Sequence, residues 1–411
     1  MTLLDAPVDT AAGTGTDIGT GIDIGTGTGT GTGTVGAEPL LAEGARRLAD
    51  RVARPSAAPR DRDRVWDPEL FAELAGGGPG PGLAGPLVPL ARGGGGLSAA
   101  QTCALLEGLG EGSRDPGLAL AVVVHAVLAT VPIRAFGTDV VKLDYLPRMA
   151  SGEWVGGLSL RQTQGAAQTP TVTARPVPGG WLLRGELDLV AGAPVAHHLL
   201  VVAALDGGGR TAFVVDREAD GLDVGEGAPT AMRTCPWGRV VLDDCFAPDS
   251  AVLGTVGGAA DEVEPLLAAL DWTFTSAPWI GVMRALAREA VGTARERRLF
   301  GRPLAHDQTV RFTLADLSIR VELASEVVRR AAAGFDAADR PSLRDAASAR
   351  LFAASAARDI AERAAHLSGP LAPGGDDLAG RAHRDALFFS ATGGGTEVLR
   401  PVIASFLLEL G

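Results

Sequence analysis

The hydrophobic periodicity of this 411-residue chain changes twice, from helical to alternating and back to helical. Apolar residues recur mostly at helical spacing from residue 39 to 153, whereas apolar and polar positions alternate between glycine-rich turns from 154 to about 254. Long helical patterns fill residues 255–411. The sequence therefore predicts a mainly α protein with a central β domain, divided at these boundaries into three domains.

One helical pattern in the last domain carries apolar residues at alternating spacings of four and three. This spacing places them on one face, as in a helix of a bundle. The residues are Val310, Leu314, Leu317, Val321, Ala324 and Val328. We expect this face to be buried, either inside one chain or against a second copy.

The first 38 residues have a different composition. Gly-Thr repeats run from Gly13 to Thr34 and offer too little apolar surface to offset the entropy lost on ordering. We therefore expect a disordered tail at residues 1–38. It is not expected to be a signal peptide, because no basic segment precedes an apolar run.

Charge and composition argue against several classes of protein. A net charge of -12 argues against nucleic acid, whose phosphates need a basic surface. The three cysteines show no metal-binding spacing and no disulfide framework. The apolar run Leu118–Ile133 contains His125 and Pro132 and is short for a membrane span, so we expect a buried core helix. The sequence thus favours a cytoplasmic protein with neither a nucleic-acid nor a membrane partner.

The segment at 295–304 joins two long helical patterns and reads Arg-Glu-Arg-Arg-Leu-Phe-Gly-Arg-Pro-Leu, followed by Gln308. It resembles the ERxxFGxPL…Q junction of the acyl-CoA dehydrogenase family. In that family the arginine and the glutamine meet the pyrophosphate and ribityl part of FAD across a subunit boundary. The resemblance implies FAD contacts at Arg297, Phe300 and Gln308, and a guanidinium fork suits phosphate oxygens. The alternative is a solvated basic patch at a helix end.

The resemblance extends over roughly residues 40–411. Residues 136–138 and 145–153 are similar to the family's "fGt…K..yLP.ma.Ge" segment. The family fold implies an N-terminal helical domain, a middle β-barrel-like domain and a C-terminal four-helix bundle. It also implies a homodimer, a homotetramer or a heteromer, with an interface on the helix at 305–330.

The family's reaction needs a carboxylate that removes the α-proton of an acyl thioester. In most members this base is a glutamate in a loop of the form "RDA…YEGT". Here Arg384-Asp385-Ala386 leads without a gap to Gly393 at the glutamate's place. Glycine cannot accept a proton, so the usual base is absent.

Some members instead carry the base on the helix before the ERxxFG junction, ten residues ahead of a glycine. Counting back from Gly281 places Asp271 at that position, with Trp272 where the family has arginine. Asp271 is therefore the candidate catalytic base. The alternatives are that Asp271 is only a helix N-cap, or that a two-residue insertion places Thr273 there and leaves no base.

Two further segments are similar to the family's flavin-contacting strands. Leu158-Ser159 stands for "(L/I)T", and Leu189-Val190-Ala191 stands for "WIT", without its aromatic ring and hydroxyl. The resemblance implies flavin contacts at Leu158, Ser159, Val190 and Ala191. The loop at 160–166 departs from the family's "EPGAGSD".

The remaining candidate FAD contacts lie near the C-terminus. His366 and Gly369 match the family's "QxxGG" turn, with histidine for glutamine, and His366 has the alternative of packing the helix end. Thr396 and Glu397 follow the glycine run at 393–395. His197-His198 is expected to be solvated surface, and no metal site is indicated.

Three hypotheses about function follow from the resemblance. The first is an FAD-dependent dehydrogenase of an unusual acyl thioester, on CoA or a carrier protein, with Asp271 as base. Because Trp272 replaces an arginine near the family's acyl-CoA site, the carrier stays open. The second is a flavin-dependent monooxygenase on the same fold, which needs no such base. The third is a non-catalytic subunit that completes a partner's FAD site with Arg297 and Gln308.

Overall fold

The computed structural model describes residues 37–76, 82–165, 169–227, 229–337, 342–369 and 377–408. The predicted disordered tail lies almost wholly outside these ranges. The first part of the chain is helical. Its helices are α1 (Ala37–Val52), α2 (Ala57–Asp63), α3 (Pro68–Gly76), α4 (Ala99–Ser113), α5 (Pro116–Val123), α6 (Thr130–Phe136) and α7 (Asp139–Ala150).

Local signals start several of these helices where the sequence provides them. The Ser98 hydroxyl oxygen accepts a hydrogen bond from the Gln101 backbone amide, and Gln101 Oε1 accepts one from the Ser98 backbone amide. The two bonds form a capping box at α4. Asp115 caps α5 directly ahead of Pro116. A π-helical turn at Val124–Ala129 joins α5 to α6. The continuous segment Pro116–Phe136 is apolar and long enough to cross a membrane, yet it is fully buried inside the chain, as expected for a core helix.

The middle part forms an eight-stranded sheet. Its strands are β1 (Gly156–Ser159), β2 (Val172–Val177), β3 (Gly180–Ala191), β4 (His198–Leu205), β5 (Arg210–Asp216), β6 (Leu222–Glu226), β7 (Trp237–Pro248) and β8 (Val252–Leu253). They follow the order β6-β7-β3-β1-β4-β5-β8, and β2 pairs with both β3 and β4. These extra pairs of β2 tie β3 to β4 alongside β1.

The last part returns to helices, with a small hairpin of two strands at the junction. The elements are α8 (Val263–Phe274), α9 (Ser276–Glu296), β9 (Arg298–Leu299), β10 (Arg302–Pro303), α10 (Gln308–Ala337), α11 (Leu343–Ser368), α12 (Leu378–Ala391) and α13 (Gly395–Leu407). The apolar face of α10 is buried from Leu317 to Val328 within this chain. The predicted fold class, helices around a central sheet domain, is confirmed.

Glycines allow helices α4 and α9 to approach closely. A β-carbon built on Gly281 of α9 would lie 2.0 Å from the Glu107 carbonyl oxygen, and one built on Gly110 would lie 2.0 Å from that of Pro278. Because no side chain fits at these contacts, the glycines fix how α9 sits on the N-terminal helices. Helix α8, which carries the candidate base, ends just before α9 begins.

The prediction that His197-His198 is solvated surface was wrong for His198, which is 1% exposed. Its side chain packs beside Tyr145 and near Gly156, because it lies on the covered face of β4. Burial lowers the pKa of His198 to about 3 and that of His125 to about 4. Both side chains are therefore neutral at physiological pH.

We expect His198 to make stability depend on pH. Between about pH 6.5 and 3, His198 is protonated in the unfolded chain but stays neutral in the folded chain. The free energy of unfolding therefore falls as pH falls. In His198→Leu this loss should be smaller by about 1.4 kcal/mol per pH unit, measured by urea denaturation between pH 6 and 4. The exposed His383→Leu is the control, and an unchanged slope in His198→Leu would contradict the assignment.

Candidate functional site

The candidate base Asp271 lies in the last turn of α8 and is 2% exposed. It is not the N-cap of α9, since Thr275 occupies that position. Thr273, the alternative occupant, is also buried on the same helix. The Asp271 carboxylate therefore lies in the interior between helices and does not cap α9.

Two threonine hydroxyls contact the carboxylate of Asp271. Thr163 Oγ1 donates to Oδ2 at 2.6 Å, and Thr275 Oγ1 lies 2.9 Å from Oδ1 and 2.5 Å from the Asp271 carbonyl oxygen. Thr163 comes from the loop after β1 that departs from the family pattern, whereas Thr275 lies one turn along the helix. Each hydroxyl orients one carboxylate oxygen, which fixes the plane of the acid group.

A buried guanidinium faces the same carboxylate. Arg350 of α11 is 2% exposed, and its Nη1 lies 3.8 Å from Asp271 Oδ1 and donates to Thr275 Oγ1. Its Nη2 donates to the carbonyl oxygens of Phe389 and Thr392, and the guanidinium lies 3.8 Å from the centre of the Phe389 ring. Burial lowers the pKa of Arg350 to about 10, opposed by Asp271. At neutral pH Arg350 is still charged, so a cation lies beside the Asp271 carboxyl group.

The loop position and the helix position that could carry a base lie close together in space. A β-carbon built on Gly393 would lie 3.1 Å from Asp271 Oδ2 and 3.3 Å from Arg350 Nη2. Trp272 Nε1 donates to the Gly393 carbonyl at 2.8 Å and holds the turn against α8. Two positions 122 residues apart in sequence thus lie next to each other, and in this chain only the helix position carries an acid.

Asp271 and Arg350 line an enclosed cavity with a volume of about 10 Å³, roughly enough for one water molecule. One end is polar, with Asp271, Thr275, Arg350 and Thr392. The rest of the wall is apolar. It consists of Pro116, Leu120, Leu160, Met232, Pro278, Trp279, Val282, Phe388 and Phe389. A carboxylate at the polar end of an otherwise apolar cavity suits proton removal from a carbon acid.

Arg297 lies in a separate, open cleft of about 1260 Å³ at the helix junction. Its Nη1 donates to the Leu367 carbonyl at 3.0 Å, and a β-carbon built on Gly369 would lie 2.9 Å from the same nitrogen. Phe300 and His366 line this cleft too, so the structure brings four of the predicted FAD contacts together. Gln308 is the exposed first residue of α10, and it does not line the cleft.

The cleft carries charged side chains of both signs. Its basic residues are Arg297, Arg302, His306, Arg363 and His366, and its acidic residues are Asp307, Asp359 and Glu362. Arg363 pairs with Asp359 at 2.9 Å, and Asp307 caps α10. Arg297 and Arg302 remain as the cations at the junction, with two histidines beside them. This set of donors fits the pyrophosphate half of FAD.

The four strand residues expected at the flavin ring lie side by side. Leu158 pairs with Ala191 and Ser159 with Val190 across β1 and β3. All four are at most 1% exposed, and the Ser159 hydroxyl already donates to the Asp188 carbonyl at 2.7 Å. They form a closed backing in this structure, so the fit to FAD rests on the phosphate cleft.

Two further FAD contacts were predicted at the start of α13. Thr396 and Glu397 are exposed in the first turn of α13, where the Thr396 hydroxyl donates to the Glu397 carboxylate at 3.0 Å. Neither lines the cavity at Asp271 or the cleft at Arg297. Among the described residues, no group of three or more His, Cys, Asp or Glu side chains is arranged to hold a metal ion.

Sequence reasoning missed several residues of the cavity. Thr275 could have been found from its spacing, since it lies four residues after Asp271 on one helical stretch. Thr163, Arg350 and Met232 carry no such signal, because each reaches the cavity from a different part of the chain.

The chain is similar to known proteins in sequence and in fold. The profile described as acyl-CoA dehydrogenase, N-terminal domain, matches residues 37–153, and that of the C-terminal domain matches residues 273–408. Benzylmalonyl-CoA dehydrogenase of Aromatoleum aromaticum is 32% identical over 87% of this chain and 94% of its own length. L-prolyl-[peptidyl-carrier protein] dehydrogenase of Pseudomonas fluorescens is 30% identical over 63% of this chain and 70% of its own. The solved structure of PigA with FAD and proline matches with a TM-score of 0.84 and 25% identity, covering 93% of this chain and all of that one.

Proposed function

The chain belongs to the acyl-CoA dehydrogenase family, and we propose that it catalyses α,β-dehydrogenation of an acyl thioester with Asp271 as the base and FAD as cofactor. The observation that carries the proposal is the 3.1 Å between Asp271 Oδ2 and the β-carbon position of Gly393. The acid lost from the loop is replaced by an acid from the helix at the same point. This supports the dehydrogenase over the monooxygenase and over the non-catalytic subunit, neither of which needs an acid there.

Each residue around Asp271 has a definable part in this reaction. The carboxylate takes the α-proton of the thioester. Thr163 and Thr275 hold it in one plane, and the Arg350 guanidinium lies 3.8 Å from its Oδ1 as the nearby positive charge. The apolar wall excludes water from the carbon acid. Accepting the β-hydride is the chemistry that FAD supplies when bound.

The substrate is proposed to be a thioester on CoA or on a carrier protein. Support comes from the two dehydrogenase relatives, of which one is named for a CoA ester and the other for a carrier protein. Trp272, which stands where the family has arginine, is 1% exposed and bonded to the Gly393 carbonyl. It therefore braces the turn at Gly393 and offers no cation to CoA, which favours a carrier-protein thioester.

The first test of this function is the visible spectrum of the purified protein with FAD, before and after anaerobic addition of pantetheine thioesters of short acyl acids. Pantetheine is the part that CoA and carrier proteins share. Bands of oxidised flavin that bleach with a thioester support the dehydrogenase. Two results together would favour the monooxygenase: flavin bands that persist with every thioester, and oxidation of an added substrate by the protein in the presence of NADH and oxygen. A protein that binds no FAD would favour the non-catalytic subunit.

We expect Arg297→Gln to weaken FAD binding by about tenfold to a hundredfold, because a hydrogen bond to a charged group contributes about 1.5–3 kcal/mol. The measurement is quenching of FAD fluorescence on titration with protein. Arg295→Gln is the matched control, since Arg295 is exposed in the last turn of α9 and does not line the cleft. Equal affinities for the two variants would remove Arg297 from the FAD site.

We also propose a homo-oligomer that uses the outer face of α10. Phe312, Ile319 and Leu323 are more than half exposed on that helix, and Phe300 at the junction is 97% exposed. Apolar side chains at such density on one surface favour a protein contact. A second copy on this face would bring its junction next to the first copy, and sedimentation of the holoprotein measures the resulting mass.

A further inference from the structure

We propose that Met232 sets the size limit of the acyl group and restricts the substrate to short acyl chains. This inference rests on the proposed thioester dehydrogenase. Met232 is 2% exposed and lines the same cavity as Asp271. Because the cavity holds only about one water molecule, an acyl group must displace part of its wall.

The backbone of Met232 is held in a conformation that methionine rarely adopts. Its φ is +51°, in the left-handed region where a side chain is strained and glycine is favoured. Asp385 Oδ1 accepts from its amide at 2.8 Å, and its carbonyl accepts from Trp237 Nε1 at 2.9 Å and the Cys235 amide at 3.1 Å. Such strain persists where the surroundings over-determine it, and it concentrates at functional sites.

The neighbours of Met232 hold the backbone of the loop at 231–235 in place. A β-carbon built on Gly117, at the start of α5, would lie 2.9 Å from the Met232 carbonyl carbon and 2.4 Å from Thr234 Oγ1. Asp115 accepts from the Thr234 hydroxyl and lies 3.2 Å from Arg60 Nη2. Two buried aspartates, from different domains, thus fix the loop at 231–235 from both sides. The backbone of Met232 cannot retreat to admit a larger acyl group.

The aromatic side chains that line the cavity are more rigid than Met232. The rings of Trp279 and Phe389 stack with centroids 5.1 Å apart, and Arg350 covers Phe389. Phe388 packs against Trp237 with centroids 5.4 Å apart. Methionine is unbranched and has three rotatable side-chain bonds, so it can turn aside where locked rings cannot. The space it vacates accommodates on the order of four non-hydrogen atoms beyond the α-carbon.

The test compares kcat/KM for butanoyl, octanoyl and dodecanoyl pantetheine thioesters with an artificial electron acceptor, using the FAD-loaded protein. The wild type should prefer butanoyl. Met232→Gly removes the side chain where glycine is favoured, and should raise the dodecanoyl-to-butanoyl ratio by about tenfold or more. Met232→Leu, of similar volume, should keep the wild-type ratio. Asp244→Gly is the backbone control, since Asp244 has a φ of +52° on the exposed surface of β7.

The outcomes separate this inference from the function on which it rests. If wild type and Met232→Gly use the three chain lengths in the same ratio, the Met232 proposal is overturned and the dehydrogenase stands. If no thioester is oxidised by any variant, both fall. Should Met232→Gly fail to fold, Met232→Ala takes its place, with the same direction expected and the same ratio deciding.

Discussion

Asp271→Asn is expected to slow flavin bleaching by a thioester by about 10²–10⁴-fold, the usual contribution of a positioned base. Asparagine has nearly the shape of aspartate, and its amide oxygen can still accept from one of the two hydroxyls that contact Asp271, those of Thr163 and Thr275. It cannot take a proton. The measurement is single-turnover stopped flow, which isolates the chemical step from product release. Asp261→Asn, on the exposed turn before α8, is the matched control.

A second variant tests whether the position itself supplies catalysis. Asp271→Ala combined with Gly393→Glu restores a carboxylate from the loop side, because the β-carbon of residue 393 would lie 3.1 Å from where the Asp271 oxygen was. The left-handed φ of +68° at Gly393 strains the new side chain. We therefore expect a partial recovery, about tenfold above Asp271→Ala alone.

The matched control for this recovery is Asp271→Ala with Gly393→Gln, which has the same size and strain but no acid. A rate for the glutamate variant no higher than for the glutamine variant would argue against the shared base position. Full activity of Asp271→Asn would show that Asp271 is only the structural partner of Arg350.

Arg350→Met is expected to lower the free energy of unfolding by about 3–5 kcal/mol, because it leaves the buried Asp271 carboxylate without its cation. The change also leaves the Phe389 and Thr392 carbonyls without their donor. Urea denaturation at neutral pH gives the value. Arg329→Met is the control, since the Arg329–Glu326 pair is more than half exposed and should cost about 1 kcal/mol or less.

A double-mutant cycle makes the assignment specific to the pair. If unpaired charge is the cause, Asp271→Asn in the Arg350→Met background should recover part of the lost stability. An additive result would mean that Arg350 acts mainly through the carbonyls of the turn. In active protein, Arg350→Lys should keep more of the rate than Arg350→Met, because lysine still provides a positive charge near Asp271.

The order of helices, strands and helices could be predicted from the sequence because periodicity records which faces are buried. The buried stretch from Pro116 to Phe136 and the inner face of α10 followed from that pattern. The absence of an acid at Gly393 came instead from the family resemblance, through a gapless count from Asp385 along the family's loop motif. Asp271 was reachable by the same kind of count from Gly281.

The cavity around Asp271 was decided only by tertiary structure. Thr163, Met232 and Arg350 come from a loop after β1, a loop before β7 and the middle of α11, and no local pattern links them. His198 shows the same limit, since one residue of a polar pair turned inward with the pleat of β4 while His197 stayed outside. Sequence spacing fixes neighbours on one element, whereas contacts between elements depend on how close the backbones come. Here that approach was set by glycines 110 and 281 in two helices.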